Sequence, residues 1–202
     1  MKLYHSPTSP YVRKVMVVLH ETGQLEDVTL EATTGTPLAP AAGLVAKNPL
    51  TKVPALERPD GCTLYDSRVI CRFLDARAKA GLYPQGARGW ETLTLEATGD
   101  GITDAALLMT YEARLRPEGQ RMDAFVDAQW EKIENACAAL NARWISHLSG
   151  PLDAGQIAVG CALAYVDFRH EARGWRNGND ALAAWYAGFA ERGSMRTTTP
   201  PA

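Results

Sequence analysis

The chain has 202 residues, 46% of them hydrophobic and 22% charged, enough apolar material for one large core or two small ones. A net charge of -2 with no long run of one sign leaves neither a nucleic-acid footprint nor a polybasic membrane patch, so the expected partners are small molecules or protein. No apolar stretch approaches the roughly 20 residues of a bilayer span, and residues 15–19 are too short for a secretory core, so the chain is expected in a reducing cytoplasm, off the membrane.

In chain order, residues 2–5 read as a short strand. Residues 12–21 carry apolar side chains at helical spacing until Gly23 stops them. Residues 28–31 are β-prone again, and a loop rich in Pro, Gly and Ala follows over 34–43. The turn Pro59, Asp60, Gly61 makes residues 53–57 and 62–65 a hairpin, and Asp66 and Ser67 then precede a helix whose apolar face is Val69, Ile70, Phe73 and Leu74. This order, β-α-β then β-β-α, ends at a turn-rich linker over 81–89, so two domains are expected, 1–80 and 87–202.

The second half is predicted to be all helical. Residues 90–115 form one long segment and 125–148 another, in which Val126, Trp130, Ile133, Cys137, Leu140, Trp144 and Leu148 recur at steps of three and four. Asp153 followed by Gln156 has the form of a capping box opening a third helix with the face Ile157, Cys161, Ala164 and Phe168. Leu182, Trp185, Tyr186 and Phe189 mark a last helix, and 197–202 reads as a loose tail. Cys62, Cys71, Cys137 and Cys161 are scattered, with neither a C-x-x-C pair nor zinc-ligand spacing, so buried, reduced thiols and no metal site are expected.

Four stretches, in this order, carry a family resemblance: Ser9-Pro10-Tyr11-Val12-Arg13-Lys14-Val15; Asn48-Pro49 through Lys52-Val53-Pro54-Ala55-Leu56; Leu64-Tyr65-Asp66-Ser67-Arg68-Val69-Ile70; and Ile157-Ala158-Val159-Gly160-Cys161-Ala162-Leu163. Together they resemble the cytosolic glutathione transferases, of the bacterial kind with a serine-type loop. The resemblance implies an α/β domain of thioredoxin-like fold followed by an all-α domain. It also implies a detoxifying transferase that joins the glutathione thiolate to a small, electrophilic, largely apolar molecule. A glutathione-dependent isomerase, peroxidase or dehalogenase would use the same site, and a non-catalytic relative would use the fold to bind a protein.

The opening loop then acquires a chemical reading. Ser9 stands where an N-cap belongs and Pro10 where the first helical residue belongs, so free N–H groups and the positive end of the dipole face the loop. A thiolate is stabilised there, and a hydroxyl can donate to its sulfur. Ser9 is the expected catalytic donor, with Ser6 and Thr8 as the alternatives; as an N-cap alone it would need no ligand. A glutaredoxin-like reading fails because the loop has no cysteine.

For glutathione, the resemblance makes Val53-Pro54 a cis step whose Val53 backbone pairs with the cysteinyl unit, gives the γ-glutamyl carboxylate to Ser67 and its ammonium to Asp66. The loop ahead of that step has no cation over residues 35–40, so Lys52, with Lys47 behind it, is the candidate for the glycyl carboxylate. Tyr11, Leu107, Leu108 and Tyr111 are the candidates for an apolar acceptor pocket, and Arg114 and Arg116 would favour an anionic acceptor. A homodimer is expected, with Arg68 and Arg72 meeting Glu91, Glu96, Asp100 and Asp104 of a second copy across a two-fold axis.

Overall fold

In the computed structural model, which describes residues 1–201, the chain divides into two units. One is Met1–Tyr83 together with the residues from Arg196 onward; the other is Pro84–Met195.

The first unit has the thioredoxin-like arrangement. Strands β1 (Lys2–His5), β2 (Thr29–Ala32), β3 (Ala55–Glu57) and β4 (Thr63–Leu64) form one sheet in the order β2-β1-β3-β4. β1 runs parallel to β2, with Leu3 opposite Leu30, and antiparallel to β3, with Leu3 opposite Leu56. Helices α1 (Pro10–Glu21) and α2 (Ser67–Ala78) pack on each other, and Leu3, Leu56, Val15, Leu19, Ile70 and Leu74 are fully buried. The buried Gln24 amide ties the end of the first helix to the second by donating to the Leu74 carbonyl at 2.9 Å.

The hairpin is shorter than its sequence pattern suggests, for two local reasons. Asn48 Nδ2 donates to the Lys52 carbonyl at 2.8 Å, holding residues 48–52 as a loop, and Val53 and Pro54 lie outside the strand. Asp60 Oδ1 accepts from the Cys62 N–H at 3.0 Å, so Cys62 belongs to the turn. That turn leaves Cys62 exposed, whereas Cys71, Cys137 and Cys161 are buried as expected.

The second unit is helical: α3 (Ala87–Leu115), α4 (Asp123–Arg143), α5 (Ile145–Leu148), α6 (Ala154–His170) and α7 (Asp180–Ala190), with α8 (Gly193–Thr197) beginning in it and ending in the residues grouped with the first unit. α6 is its centre, with every residue from Ala154 to Val166 buried, so it needs an apolar surface all round rather than one stripe. It lies close along α3: a Cβ on Gly99 would sit 2.6 Å from the Ala158 carbonyl carbon, and only glycine permits that approach.

Three expectations are corrected in this unit. The segment predicted over 125–148 breaks at Trp144, whose φ of -115° and ψ of -1° leave the helix. The apolar spacing nevertheless continues, because Leu140 and Leu148 are buried on both sides of the break. Asp153 does cap α6, Oδ1 accepting from the Gln156 N–H at 3.1 Å, but Gln156 does not reach back to complete the box. Its amide instead donates to the carbonyls of His147, Gly150 and Pro151, tying the preceding loop to the helix. Finally, Glu96 and Asp100 are 2% and 3% exposed and cannot meet a second copy's arginines; Glu91 and Asp104 are exposed.

The tail is not wholly loose: Thr198 Oγ1 accepts from Arg13 Nε at 3.4 Å in the first unit. Ala202, the last residue of the expected tail, lies outside the described residues.

Candidate active site

Strand register decides which loops share an end of the sheet. β1 ends at His5, and its antiparallel pairing puts Tyr4 opposite Ala55, so the loop after β1 and the segment entering β3 emerge together. β4 runs antiparallel to β3, with Leu56 opposite Leu64, so the chain leaves β4 toward Asp66 at that same end. Three stretches far apart in sequence, around Ser9, Val53 and Asp66, are thereby gathered by four short strands.

Ser9 has the extended backbone of an N-cap (φ -80°, ψ 122°), and its Oγ accepts from the Val12 N–H at 3.4 Å. A hydroxyl has one proton as well as its lone pairs, so capping consumes acceptor capacity and leaves the O–H to donate elsewhere. Capping and donation to a sulfur are therefore compatible roles. Ser6 and Thr8 contact each other at 3.4 Å between their hydroxyl oxygens, an arrangement that uses one of their two protons internally. No acidic side chain lies in the first turn of α1, so nothing there offsets the positive end of its dipole.

The Val53-Pro54 peptide bond is cis. Among the described residues nothing pairs with the Val53 backbone N–H or C=O, which leaves both open to an extended ligand. Asp66 caps α2, Oδ1 accepting from the Arg68 N–H at 3.0 Å, and the Tyr65-Asp66 bond is also cis. Its carboxylate is 57% exposed, with Arg68 Nη1 4.0 Å from Oδ2, so it can still meet a cation. Ser67 is 2% exposed at the first position of a 12-residue helix, where the leading N–H groups have no intrahelical carbonyl.

The two lysines separate. Lys47 Nζ stands 2.6 Å from Glu57 Oε1, and the Tyr4 hydroxyl donates to Glu57 Oε2 at 2.8 Å. The hydrogen bond from Lys47, followed by that from Tyr4, holds the Glu57 carboxyl below its ordinary pKa, and the same ion pair raises the ammonium of Lys47. Lys47 is thus committed to the sheet. Lys52 is exposed and has no carboxylate partner among the described residues.

Of the acceptor-pocket candidates, Tyr11 is half-buried on α1 in the first unit, whereas Leu107, Leu108 and Tyr111 lie on α3 in the second, with Leu108 44% exposed. Burial, then the neighbouring Tyr165, raises the Tyr111 phenol, while the Arg114 guanidinium pulls it down. The sequence reading offers Arg114 and Arg116 alike, and the structure separates them. Arg116 Nε is bound to Glu112 Oε1 at 2.7 Å, a partner one helical turn back that the i,i+4 spacing could have revealed.

Among the described residues no group of three or more His, Cys, Asp or Glu is placed to hold a metal ion, and no helix is long and apolar enough to cross a membrane.

Comparison with known proteins places this geometry in context. The family model of the glutathione S-transferase N-terminal domain matches residues 8–77, and that of the C-terminal domain matches residues 123–188. The uncharacterized GST-like protein YibF of Escherichia coli (strain K12) is 31% identical over 205 residues, spanning 100% of this chain and 99% of that protein. A glutathione transferase family member from Pseudomonas fluorescens Pf-5, solved with bound glutathione, is 47% identical with a TM-score of 0.97, over 100% of this chain and 99% of that one. A second structure from that organism holds S-(propanoic acid)-glutathione; it is 45% identical, with a TM-score of 0.93 over 100% of both chains. The glutathione S-transferase of Methylobacillus flagellatus KT, with glutathione bound, is 36% identical with a TM-score of 0.88 over 99% of both chains.

Proposed function

The chain belongs to the glutathione S-transferase family, and from that premise we propose that it binds glutathione at the gathered end of its sheet and conjugates it to a small electrophile. The observation that carries this reading is the convergence of three complementary groups: a capping serine with a free proton, an open Val53 backbone, and an exposed acid beside a helix N-terminus.

Each part of the tripeptide has a partner of matching chemistry. The Val53 N–H and C=O add the cysteinyl unit as an extra strand, and the head of α2 with Ser67 takes the γ-glutamyl carboxylate. Asp66 takes the ammonium, and Lys52, the uncommitted cation, takes the glycyl carboxylate.

Glutathione supplies a thiol whose ordinary pKa of about 8.5 leaves it mostly protonated at neutral pH. The Ser9 hydroxyl donates to the sulfur, and the N-terminus of α1 favours its negative charge. A two-unit lowering corresponds to about 2.7 kcal/mol, which one charge-assisted hydrogen bond and a helix end together can supply.

Isothermal calorimetry with glutathione, paired with a spectrophotometric panel of aryl halides and activated alkenes, tests the reading. Binding with turnover of at least one electrophile supports it, and absence of glutathione binding overturns it. The working unit is proposed to be a homodimer, in which exposed Arg68 and Arg72 meet Glu91 and Asp104 of the second copy. Sedimentation equilibrium at micromolar concentration should then show about twice the 21.9 kDa chain mass; a single 21.9 kDa species would remove the dimer.

A further inference from the structure

The loop over residues 171–179, between α6 and α7, forms with α4 a cleft of about 250 Å³ that lies wholly within the second unit and shares no residue with the proposed glutathione contacts. Glu134 and Ala138, one turn apart on α4, line one side; Arg173, Trp175, Asn177 and Asn179 line the other. The loop is firmly pinned. Asp167 on α6 accepts from Trp175 Nε1 at 2.7 Å and from Arg176 Nη1 and Nη2 at 2.7 Å each, and the Arg176 guanidinium lies 4.4 Å from the Trp175 ring centre. Gly174 has a φ of 70°, and a Cβ there would sit 2.8 Å from Asn177 Nδ2, so glycine lets the Asn177 amide fold back on the loop.

What the pinned loop leaves unused is a set of acceptors. Asn179 is 8% exposed and stands at the N-cap of α7, yet its side chain caps nothing: Asn141 Oδ1 on α4 accepts from the Leu182 N–H at 3.0 Å in its place. Asn179 Nδ2 donates to the Trp175 carbonyl at 2.7 Å, with the Asn177 carbonyl at 3.5 Å, which identifies the other amide atom as the oxygen. That Oδ1 has no donor among the described residues, a costly state for an amide so deeply buried. Glu134 is exposed and has no ion pair among the described residues. Arg173 lines the same cleft but is committed elsewhere, with Nη1 3.0 Å from Asp127 Oδ1 and its guanidinium 5.7 Å from the Trp130 ring centre. The uncompensated charge of the cleft is therefore negative.

We propose that this cleft binds the ammonium group of a small primary amine, which donates to Glu134, to Asn179 Oδ1 and to the Asn177 amide oxygen, while Ala138 and Trp175 flank its carbon chain. The proposal is independent of glutathione binding. A primary ammonium carries three donors and no acceptor, which suits three acceptors of which one is an unpaired carboxylate. The indole of Trp175 adds attraction for a cation. A hard divalent cation takes roughly six to eight oxygens, more than these side chains offer. An anion would face the Glu134 charge, and the volume suits a compact amine rather than a drug-sized ligand.

The test is a titration followed by ¹H–¹⁵N NMR, with n-butylammonium as the probe and n-butanol as its neutral counterpart. In wild type, n-butylammonium should shift the backbone amides of Gly174, Gly178 and Asn179 and the side-chain amides of Asn177 and Asn179, saturably and with about 3- to 10-fold higher affinity than n-butanol, the range for a partly exposed charged contact. High salt should weaken it. Glu134→Gln, an exposed change that leaves the fold intact, should abolish the preference for the ammonium. Asp127→Asn, which releases Arg173 toward Glu134, should weaken it, and Glu131→Gln, on α4 but outside the cleft, should leave it unchanged. Tetramethylammonium, a cation without N–H donors, should bind less tightly than n-butylammonium.

Equal responses to n-butylammonium and n-butanol, shifts that do not saturate, or a preference that survives Glu134→Gln overturn the proposal. Equal or tighter binding of tetramethylammonium removes the hydrogen-bonding role of the two asparagines and overturns it as well. Calcium ions that saturate the same resonances at lower concentration than the amine would show a metal site instead.

Discussion

Ser9 shows why one side chain can hold two roles at once. Its oxygen is committed to the Val12 N–H, but its proton is not, so replacing it removes a weak cap and a donor together. Ser9→Ala should therefore lower kcat/KM for conjugation at neutral pH by roughly 10- to 1,000-fold, or about 1.4 to 4 kcal/mol. Glutathione affinity by calorimetry should change far less, because the backbone and carboxylate contacts remain. Normal turnover in Ser9→Ala, with loss in Ser6→Ala or Thr8→Ala, would move the role to that neighbour. The cysteines make a second residue-scale prediction. Cys62 is exposed on a turn, while burial, then the negative charges of Asp167 and Glu134, push the Cys137 thiol up to about 12. Since the thiolate is the reactive form, mass spectrometry after brief iodoacetamide treatment of the native protein should find Cys62 alkylated first and Cys137 unmodified. The composition of this chain gave no hint of that difference, because exposure at Cys62 follows from the Asp60 hydrogen bond that forms the turn.

Among the elements, α6 is tied to its surroundings by its N-cap residue, Asp153. Asp153 is 1% exposed, caps the helix through Gln156, and accepts from the Thr92 hydroxyl at 3.0 Å on α3. His147 Nε2 lies 2.7 Å from the same carboxylate, and Arg88 Nη2 lies 3.5 Å from it. Asp153→Ala would remove a cap worth about 1 kcal/mol and, with it, the buried carboxylate that meets the Thr92 hydroxyl, His147 Nε2 and Arg88 Nη2, so a loss of about 2–4 kcal/mol is expected. Urea unfolding monitored by circular dichroism measures it. Asp153→Asn, which keeps the cap, should lose less; equal losses in the two variants would show that the charge matters more than the cap. The sequence announces the cap by its Asp-x-x-Gln spacing, but Thr92, His147 and Arg88 are found only by packing. Likewise the unbroken apolar spacing over 125–148 hid the break at Trp144, because both pieces bury the same side.

At the scale of the whole molecule, burial makes stability depend on pH. His170 Nε2 lies 2.9 Å from the Ala106 carbonyl and 3.1 Å from Thr110 Oγ1, and burial lowers its pKa; burial likewise lowers that of His5. A histidine that resists protonation when folded binds fewer protons folded than unfolded, so stability is complete above the unfolded pKa of about 6.5 and falls as pH drops through it. The urea midpoint should therefore decrease between pH 7.5 and 5.5, and the decrease should be smaller in His170→Gln, which keeps a donor for the Ala106 carbonyl without the titration. An identical slope in the variant would exclude His170 as a source. The sequence by itself determined the element order, the two-part organisation into an α/β and a helical half, and the helix caps at Ser9, Asp66 and Asp153. It could do so because caps, turns and apolar period act within a few residues. Only the tertiary structure decided that Lys47 is consumed by Glu57 while Lys52 stays available, that Arg116 is bound and Arg114 is not, and that Glu96 and Asp100 are buried. Charge partnership and burial depend on which surfaces the chain brings together, and residue spacing along the sequence carries that information only when the partners lie on the same helix.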